Sequence, residues 1–175
     1  TLTNYDGVII SDYDKGVCEK FFIQNIIAEA NKTGVLTFID PKGDNWGKYY
    51  NATCITPNVK EVESELKLKL INDNDFKKAG EILIKKFKLH SCLITRGPEG
   101  MTYVNNKKTI HQKVSKKEVY DVSGAGDAVI ACLSLCLSSD FEVSEALELS
   151  SVISSEVVMH LGTTPFTDKM LNIKL

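Results

Sequence analysis

The sequence predicts a three-layer α/β/α fold with a mainly parallel β-sheet, and three observations lead to this fold class. Short apolar runs of strand length alternate with longer segments whose apolar residues recur at helical spacing. Glycine and proline mark the turns between the two kinds of segment. The length of 175 residues, with 43% hydrophobic and 25% charged residues, is typical of one globular domain, so we expect residues 1–175 to form a single domain.

The first strand, helix and strand make one β–α–β unit. Residues 7–11 (GVIIS) are a short apolar run typical of a buried strand, and residues 36–39 are a second one. Between them, residues 18–33 carry apolar side chains at helical spacing, and Gly34 is the expected C-terminal cap of this helix. Two strands joined in this way are parallel and connected by a right-handed crossover.

The rest of the chain continues the alternation. The remaining expected elements are a helical turn at 46–50, a strand at 53–56, a helix at 73–88, a strand at 91–94, a hairpin of 101–104 with 109–114, a helix from the 121–127 motif to about 138, and a helix at 144–160. Ligands of such sheets bind at the carboxyl ends of the strands. The polar residues that follow the first two strands therefore lie at the functional edge: Asp12, Lys15, Asp40 and Lys42.

Composition and charge exclude several classes of function. A net charge of −2 leaves no basic footprint for a nucleic acid. Residues 128–137 form an apolar run of ten, well short of the roughly eighteen residues that span a bilayer, so we expect no membrane segment. Five cysteines, an odd number spread through apolar segments, indicate reduced thiols in a cytoplasmic protein.

Residues 121–127 (DVSGAGD) are a loop that leads directly into an apolar helix. The first N–H groups of a helix have no partners inside the helix, and the helix dipole adds positive charge, so this position favours an anion. Gly124 and Gly126 allow the backbone to approach that anion closely. Asp127 can then accept a proton from a hydroxyl that attacks phosphorus. The alternative is that Asp127 only caps the helix and the glycines only form a turn.

Two further loops follow predicted strands. Asn58 and Glu61 have the spacing of a helix capping box, with asparagine in place of serine or threonine. Alternatively, this pair faces the edge of the sheet and orients water bound to magnesium, which prefers oxygen ligands. Residues 95–100 (TRGPEG) form a loop that contains two glycines. The residues leave both roles of Asn58 and Glu61 open.

The motifs at 58–61, 95–100 and 121–127, in this order and each after a strand, resemble those of the carbohydrate kinases of the ribokinase (PfkB) family. The resemblance implies a ribokinase-like fold and an enzyme that transfers a phosphoryl group from ATP to a sugar hydroxyl, with Mg²⁺ as a cofactor. It implies K⁺ as a further cation, beside Asp121 and Ser123. Phosphoryl transfer depends on positioning and charge neutralisation more than on covalent chemistry, which this set of loops suits.

The resemblance also implies roles for single residues. Asp127 would be the catalytic base, and an anion hole for the transferring phosphoryl group would consist of Gly124, Ala125 and Gly126. Asn58 and Glu61 would act on magnesium through water. The residues expected at the nucleotide are Lys42, Asn58, Thr95, Arg96, Gly97, Gly100, Ser151 and Gly162.

Within this family, the segments 11–16, 40–43, 56–58 and 119–127 resemble those of bacterial kinases that phosphorylate heptose 7-phosphate for the lipopolysaccharide core. That resemblance implies a sugar phosphate as substrate and places Asp12 and Lys15 on its side. The chain departs from the family at two positions. Ala128 stands where a threonine or serine is usual, and Ser151 stands where relatives often have an asparagine.

The resemblance covers only the later part of the family's domain. We therefore expect the C-terminal portion of a ribokinase-like domain, without the N-terminal sugar-binding and lid portion. The alternatives for the acceptor are fructose, ribose or a hexose phosphate. A different class of function is a nucleotide-binding fragment without activity, because the hydroxyl would no longer be positioned. Exposed sheet surface would favour a homo-oligomer.

Overall fold

A six-stranded sheet forms the centre of the computed structural model, which describes residues 2–114, 120–165 and 167. Its strands lie side by side in chain order: β1 (Gly7–Ser11), β2 (Leu36–Asp40), β3 (Cys54–Ile55), β4 (Ser91–Thr95), β5 (Met101–Asn105) and β6 (Thr109–Gln112). Strands β1 to β4 are parallel, and β5 and β6 add antiparallel pairs. The mainly parallel sheet predicted from the sequence is confirmed.

Helices cover both faces of the sheet. One layer contains α1 (Lys20–Thr33), α2 (Val59–Leu66) and α3 (Asp73–Phe87), and the other contains α4 (Ala125–Ser138) and α5 (Val143–Val157). The two layers have separate hydrophobic cores, one on each side of the strands. This is the three-layer arrangement that the alternating pattern predicts.

Neighbouring residues of a strand belong to opposite cores. Phe38 packs with α4 and α5, whereas Ile39 packs with α1 and α3. Leu93 and Ile94 divide in the same way. Because strand side chains alternate between faces, a strand buried on both sides must be apolar throughout, which explains the uninterrupted apolar runs in the sequence.

Two helix ends differ from their predicted positions by more than one residue. Helix α1 begins at Lys20, two residues later than expected, and ends as predicted, since Gly34 adopts a left-handed cap with φ of 77°. Helix α5 ends at Val157, three residues early. The carbonyl oxygen of Val158 accepts hydrogen bonds from the N–H groups of Tyr120 and Asp121, so this tertiary contact replaces continuation of the helix.

The outer edge of β1 has no partner strand among the described residues. Exposed apolar side chains lie along this edge and on the adjoining helix α4: Tyr5, Ile9 and Leu135. Such an edge favours association with another chain or segment. In the part of the chain that the structure describes, no helix combines the length and apolar character needed to cross a membrane.

Helix α3 approaches the sheet most closely at Gly80. A Cβ atom at this position would lie 2.5 Å from Cγ2 and 2.8 Å from Cβ of Val104 on β5. We expect Gly80→Ala to lower the free energy of unfolding by about 1–2 kcal/mol, because overpacking outweighs the better helix propensity of alanine. Urea unfolding measures the difference. The control is Gly47→Ala, whose Cβ would lie 3.6 Å from Asn45 Oδ1 and should change stability little. A Gly80→Ala protein as stable as the wild type would contradict the packing described here.

Candidate active site

The start of helix α4 faces an open space at the edge of the sheet. Gly124 is its N-cap residue and has φ of 81°, a left-handed conformation that glycine adopts without strain. The N-cap residue offers no side-chain hydrogen bond to this helix end, and a Cβ atom added at Gly126 would meet nothing within 4 Å among the described residues. Asp127, in the first turn, is exposed. The helix start is therefore exposed, although the N–H of Ala125 already donates to the carbonyl of Val122 at 3.3 Å. The anion site expected at such a helix start stays a prediction.

Asp121 holds the loop before α4 in place. Its carboxylate accepts hydrogen bonds from the N–H of Ser123 (2.9 Å) and from the N–H of Gly162 (3.0 Å), beyond the end of α5. The hydrogen bonds from Ser123 and then Gly162 lower the pKa of Asp121. The loop residues predicted to hold a cation and the glycine predicted at the nucleotide thus form one hydrogen-bonded unit. Val119 of the same motif lies outside the described residues.

A cleft of about 380 Å³ lies between the ends of β2, β3 and β4 and the start of α4. Its lining includes eight of the residues proposed from the sequence: Lys42, Asn58, Glu61, Thr95, Gly97, Gly100, Ala125 and Gly126. Gly124 and Asp127 adjoin this set at the start of α4 but lie outside the lining itself. The eight lining residues come from four separate segments of the chain and meet because the parallel strands all end at this edge.

Asn58 and Glu61 form a capping box at the start of α2 and also line the cleft. Asn58 Oδ1 accepts from the N–H of Glu61 (3.0 Å), and Glu61 Oε2 accepts from the N–H of Asn58 (2.9 Å). The other carboxylate oxygen, Oε1, accepts from Nζ of Lys42 at 2.8 Å. The hydrogen bond with Glu61 raises the pKa of Lys42.

Asp40, which the sequence places at the functional edge without a specific role, lines the cleft. It is the last residue of β2, and its pKa is raised to about 6, first by burial and then by the nearby carboxylates of Glu61 and Asp127. Asp40 and Glu61 both line the cleft, and Asp127 lies outside its lining but close enough to affect the pKa of Asp40, with Lys42 as a nearby opposite charge. The signal for Asp40 was present in the sequence, since this residue directly follows the strand predicted at 36–39.

The loop at 95–100 is closed on itself and fixed to the sheet. The N–H of Arg96 donates to the carbonyl of Gly100 at 2.8 Å, and Gly100 has φ of 92°. A Cβ atom at Gly100 would lie 2.0 Å from the carbonyl oxygen of Gln112, so a side chain cannot fit there. At Gly100, the loop therefore has only main-chain atoms to offer to the cleft.

The side chain of Arg96 lies outside the cleft lining. Its guanidinium stacks 4.2 Å from the ring centroid of Phe76, and Nη1 lies 2.6 Å from Oδ1 of Asp73 at the start of α3. The side chain thus joins the loop to α3. Thr95 and Gly97, rather than this guanidinium, line the space proposed for a nucleotide.

Other predicted residues also lie away from the cleft lining. Asp12 is buried and bonded to protein groups, and Lys15 is exposed on the loop after β1. Ser151 is buried, and its hydroxyl donates to the carbonyl of Lys113 at 3.1 Å. Ser154, about one helical turn further along α5, lines the cleft instead. Both serines lie on α5, and of the two only Ser154 lines the cleft, because periodicity alone does not determine which helical turn reaches it.

The mainly parallel sheet, the cleft at its edge and the exposed start of α4 together define a protein of the ribokinase-like fold class. A family model for the pfkB family carbohydrate kinases matches residues 3–170, and the chain therefore belongs to that family. The bifunctional protein HldE of Campylobacter fetus is 38% identical over 162 residues, and that of Helicobacter acinonychis is 41% identical over 162 residues. Each match covers 93% of this chain but 35% of the relative, so the chain spans about a third of the length of these proteins.

Solved structures of two kinases share the fold. Arabidopsis thaliana ribokinase, complexed with ribose and ATP, superposes with a TM-score of 0.85 over 97% of this chain and 56% of its own, at 18% identity. Phosphofructokinase-2 of Escherichia coli, in complex with potassium, gives a TM-score of 0.82 over 94% of this chain and 54% of its own, at 21% identity. The ribokinase-like fold predicted from the sequence is confirmed.

The raised pKa of Asp40 predicts a pH-dependent stability. A carboxyl group whose folded pKa lies above its unfolded value stabilises the fold below the unfolded pKa, and this contribution is lost as the pH rises through the folded pKa of about 6. Asp40→Asn should therefore be more stable than the wild type at pH 7, by about 1 kcal/mol after allowance for solvent screening, with no such advantage at pH 4. Urea unfolding at both pH values measures this. An equal difference at the two values would contradict the assignment.

Proposed function

We propose that this chain carries the nucleotide site and catalytic base of an ATP-dependent sugar kinase. The observation that carries the proposal is the uncapped start of α4, which opens on the cleft with Asp127 in its first turn. Oxygen atoms of a phosphoryl group can accept from the N–H groups there, where the helix dipole is positive. Family membership at 3–170 supports the same activity.

The proposed reaction uses two parts of this helix start. Asp127 accepts the proton of the sugar hydroxyl while the hydroxyl oxygen forms a bond to the γ-phosphorus of ATP. The bond from that phosphorus to the bridging oxygen breaks, and ADP leaves. The backbone of Gly124, Ala125 and Gly126 stabilises the charge on the transferring group, which is the largest contribution expected from the protein.

The cleft has a donor set that suits magnesium. Carboxylate oxygens of Asp40 and Glu61 and the amide oxygen of Asn58 are hard oxygen ligands of the kind that magnesium prefers. Burial and then the nearby carboxylates of Glu61 and Asp127 raise the pKa of Asp40, and a divalent cation would relieve the repulsion among these carboxylates. Within the described residues, no three acidic, histidine or cysteine side chains converge closely enough to hold a metal ion. Asn58 and Glu61 would thus act through water. Bound magnesium would neutralise charge on the β- and γ-phosphates.

The remaining polar groups of the cleft suit the nucleotide. Lys42 lines the cleft, and its half-exposed side chain can move from Glu61 to a phosphate. Thr95, Gly97, Gly100 and Ser154 also line the cleft. A potassium ion near Asp121 and Ser123 remains part of the proposal. The carboxylate of Asp121 already accepts from two backbone N–H groups, so a cation there would rely on backbone carbonyl groups as well.

For the acceptor, we propose a heptose 7-phosphate, which would become the 1,7-bisphosphate for lipopolysaccharide synthesis in the cytoplasm. The support is the set of HldE relatives at 34–41% identity. The second candidate function is a nucleotide-binding module without transferase activity. It is favoured by the placement of Asp12 and Lys15 outside the cleft lining, since these were the residues expected at the sugar.

Calorimetric titration with Mg·ATP, followed by assay of phosphoryl transfer, separates these functions. Transfer to heptose 7-phosphate in preference to ribose, fructose and fructose 6-phosphate would support the full proposal. Transfer to another sugar would retain the kinase and replace the substrate. Binding without transfer to any of them would favour the nucleotide-binding module, and absence of Mg·ATP binding would contradict both.

Asp127→Asn tests the catalytic base. Asparagine keeps the size of the side chain but cannot take the proton, so we expect phosphoryl transfer to fall at least about 100-fold while Mg·ATP binding changes little. The matched control is Asp140→Asn, the same change at an exposed residue beyond the other end of α4, which should leave turnover unchanged. Near-normal turnover of Asp127→Asn, measured by ADP release, would remove the proposed base.

A further inference from the structure

Three polar side chains, Asp12, Lys48 and Tyr49, form a buried network beside the cleft. They are only 2%, 5% and 1% exposed. Nζ of Lys48 lies 2.5 Å from Oδ2 of Asp12, and the hydroxyl of Tyr49 donates to the same oxygen at 2.7 Å. The second carboxylate oxygen accepts from the N–H of Asp14 at 2.7 Å. Every member of the network is thus hydrogen-bonded within the protein.

The network ends on the main chain of Lys42. The N–H of Lys42 donates to the hydroxyl of Tyr49 at 3.0 Å. The next residue, Gly43, is held as well, because its carbonyl accepts from Nε1 of Trp46 at 2.9 Å. A Cβ atom on Gly43 would lie 2.9 Å from Oδ2 of Asp14, so the turn after β2 also packs closely against the loop after β1.

Stability alone does not explain a buried ion pair at this place. Removing two charges from water is costly, and apolar side chains of similar size often give an equally stable fold. Burial raises the pKa of Tyr49, so its hydroxyl stays protonated as a donor, while hydrogen bonds from Lys48 and Tyr49 lower the pKa of Asp12 against the opposing effect of burial. What the network provides is a fixed geometry for the turn after β2.

This turn presents Lys42 to the cleft. With its N–H fixed by Tyr49, the backbone of Lys42 directs the side chain to Oε1 of Glu61 at 2.8 Å. Glu61 in turn caps α2 through Asn58. A chain of direct contacts therefore runs from Asp12 through Tyr49 and Lys42 to the proposed magnesium and nucleotide site.

We propose that Asp12, Lys48 and Tyr49 are positioning residues, which act on Mg·ATP through the main chain of Lys42 and do not themselves contact the sugar. This inference rests on the proposed function. It gives Asp12 a role different from the sugar contact expected from the sequence.

Tyr49→Phe removes the hydroxyl that links Asp12 to Lys42 and keeps the ring. We expect Mg·ATP to bind about fivefold more weakly, the equivalent of one ordinary hydrogen bond. The matched control is Tyr103→Phe, the same change at another buried tyrosine, which lies on β5 and bonds to Asn105. It should lower the melting temperature without weakening Mg·ATP binding. If Tyr49→Phe is not fully folded, all variants are compared in trimethylamine N-oxide, which favours the folded state.

A double-mutant cycle with Lys42→Met tests whether Tyr49 acts through Lys42. In the Lys42→Met background, we expect Tyr49→Phe to weaken Mg·ATP binding less than twofold, although it still lowers the melting temperature. Two results would overturn the positioning role. One is that the effects of Tyr49→Phe and Lys42→Met on the binding free energy of Mg·ATP are fully additive. The other is a Tyr49→Phe protein that is less stable than the wild type but binds Mg·ATP as tightly. A wild-type chain that does not bind Mg·ATP would instead contradict the proposed function.

Discussion

The parallel pairing of β1 to β4 is the constraint on which the rest of the site depends. Parallel strands end at a common edge, so each loop that follows a strand is delivered to the same place. Helix α4 starts at that edge because Asp121 fixes the preceding loop to the residues beyond α5. The cleft is therefore a consequence of topology together with a few loop hydrogen bonds, and it needs no long or specialised segment.

Much of this arrangement could be predicted from the sequence, because it depends on local patterns. Apolar runs identified the strands, and the glycines of 121–127 identified the start of α4. What could not be predicted depends on contacts between distant segments. The side chain of Arg96 contacts Phe76 and Asp73. On α5, the helical turn that reaches the cleft contains Ser154 rather than Ser151. Periodicity assigns such residues to an element, but only packing decides which way each one points.

Asp12 shows the same limit for buried polar groups. Its position after β1 predicted an accessible carboxylate at the edge of the sheet. The residue does lie at that edge, but its carboxylate is buried. Its partner Lys48 lies 36 residues further along the chain, in a 3₁₀ turn that contains no recognisable sequence motif. A lysine that is 5% exposed is unusual unless it is paired, so the pairing decides the role of both residues.

The two roles that the sequence left open for Asn58 and Glu61 are compatible in the structure. A carboxylate has two oxygens, and Glu61 uses Oε2 for the N–H of Asn58 while Oε1 points to Lys42 and the cleft. The capping box fixes the carboxylate plane, and that plane determines where Oε1 lies. Local helix stability and presentation of a charged oxygen to the site thus follow from the same pair of hydrogen bonds, so the capping box supports the proposed magnesium role and does not compete with it.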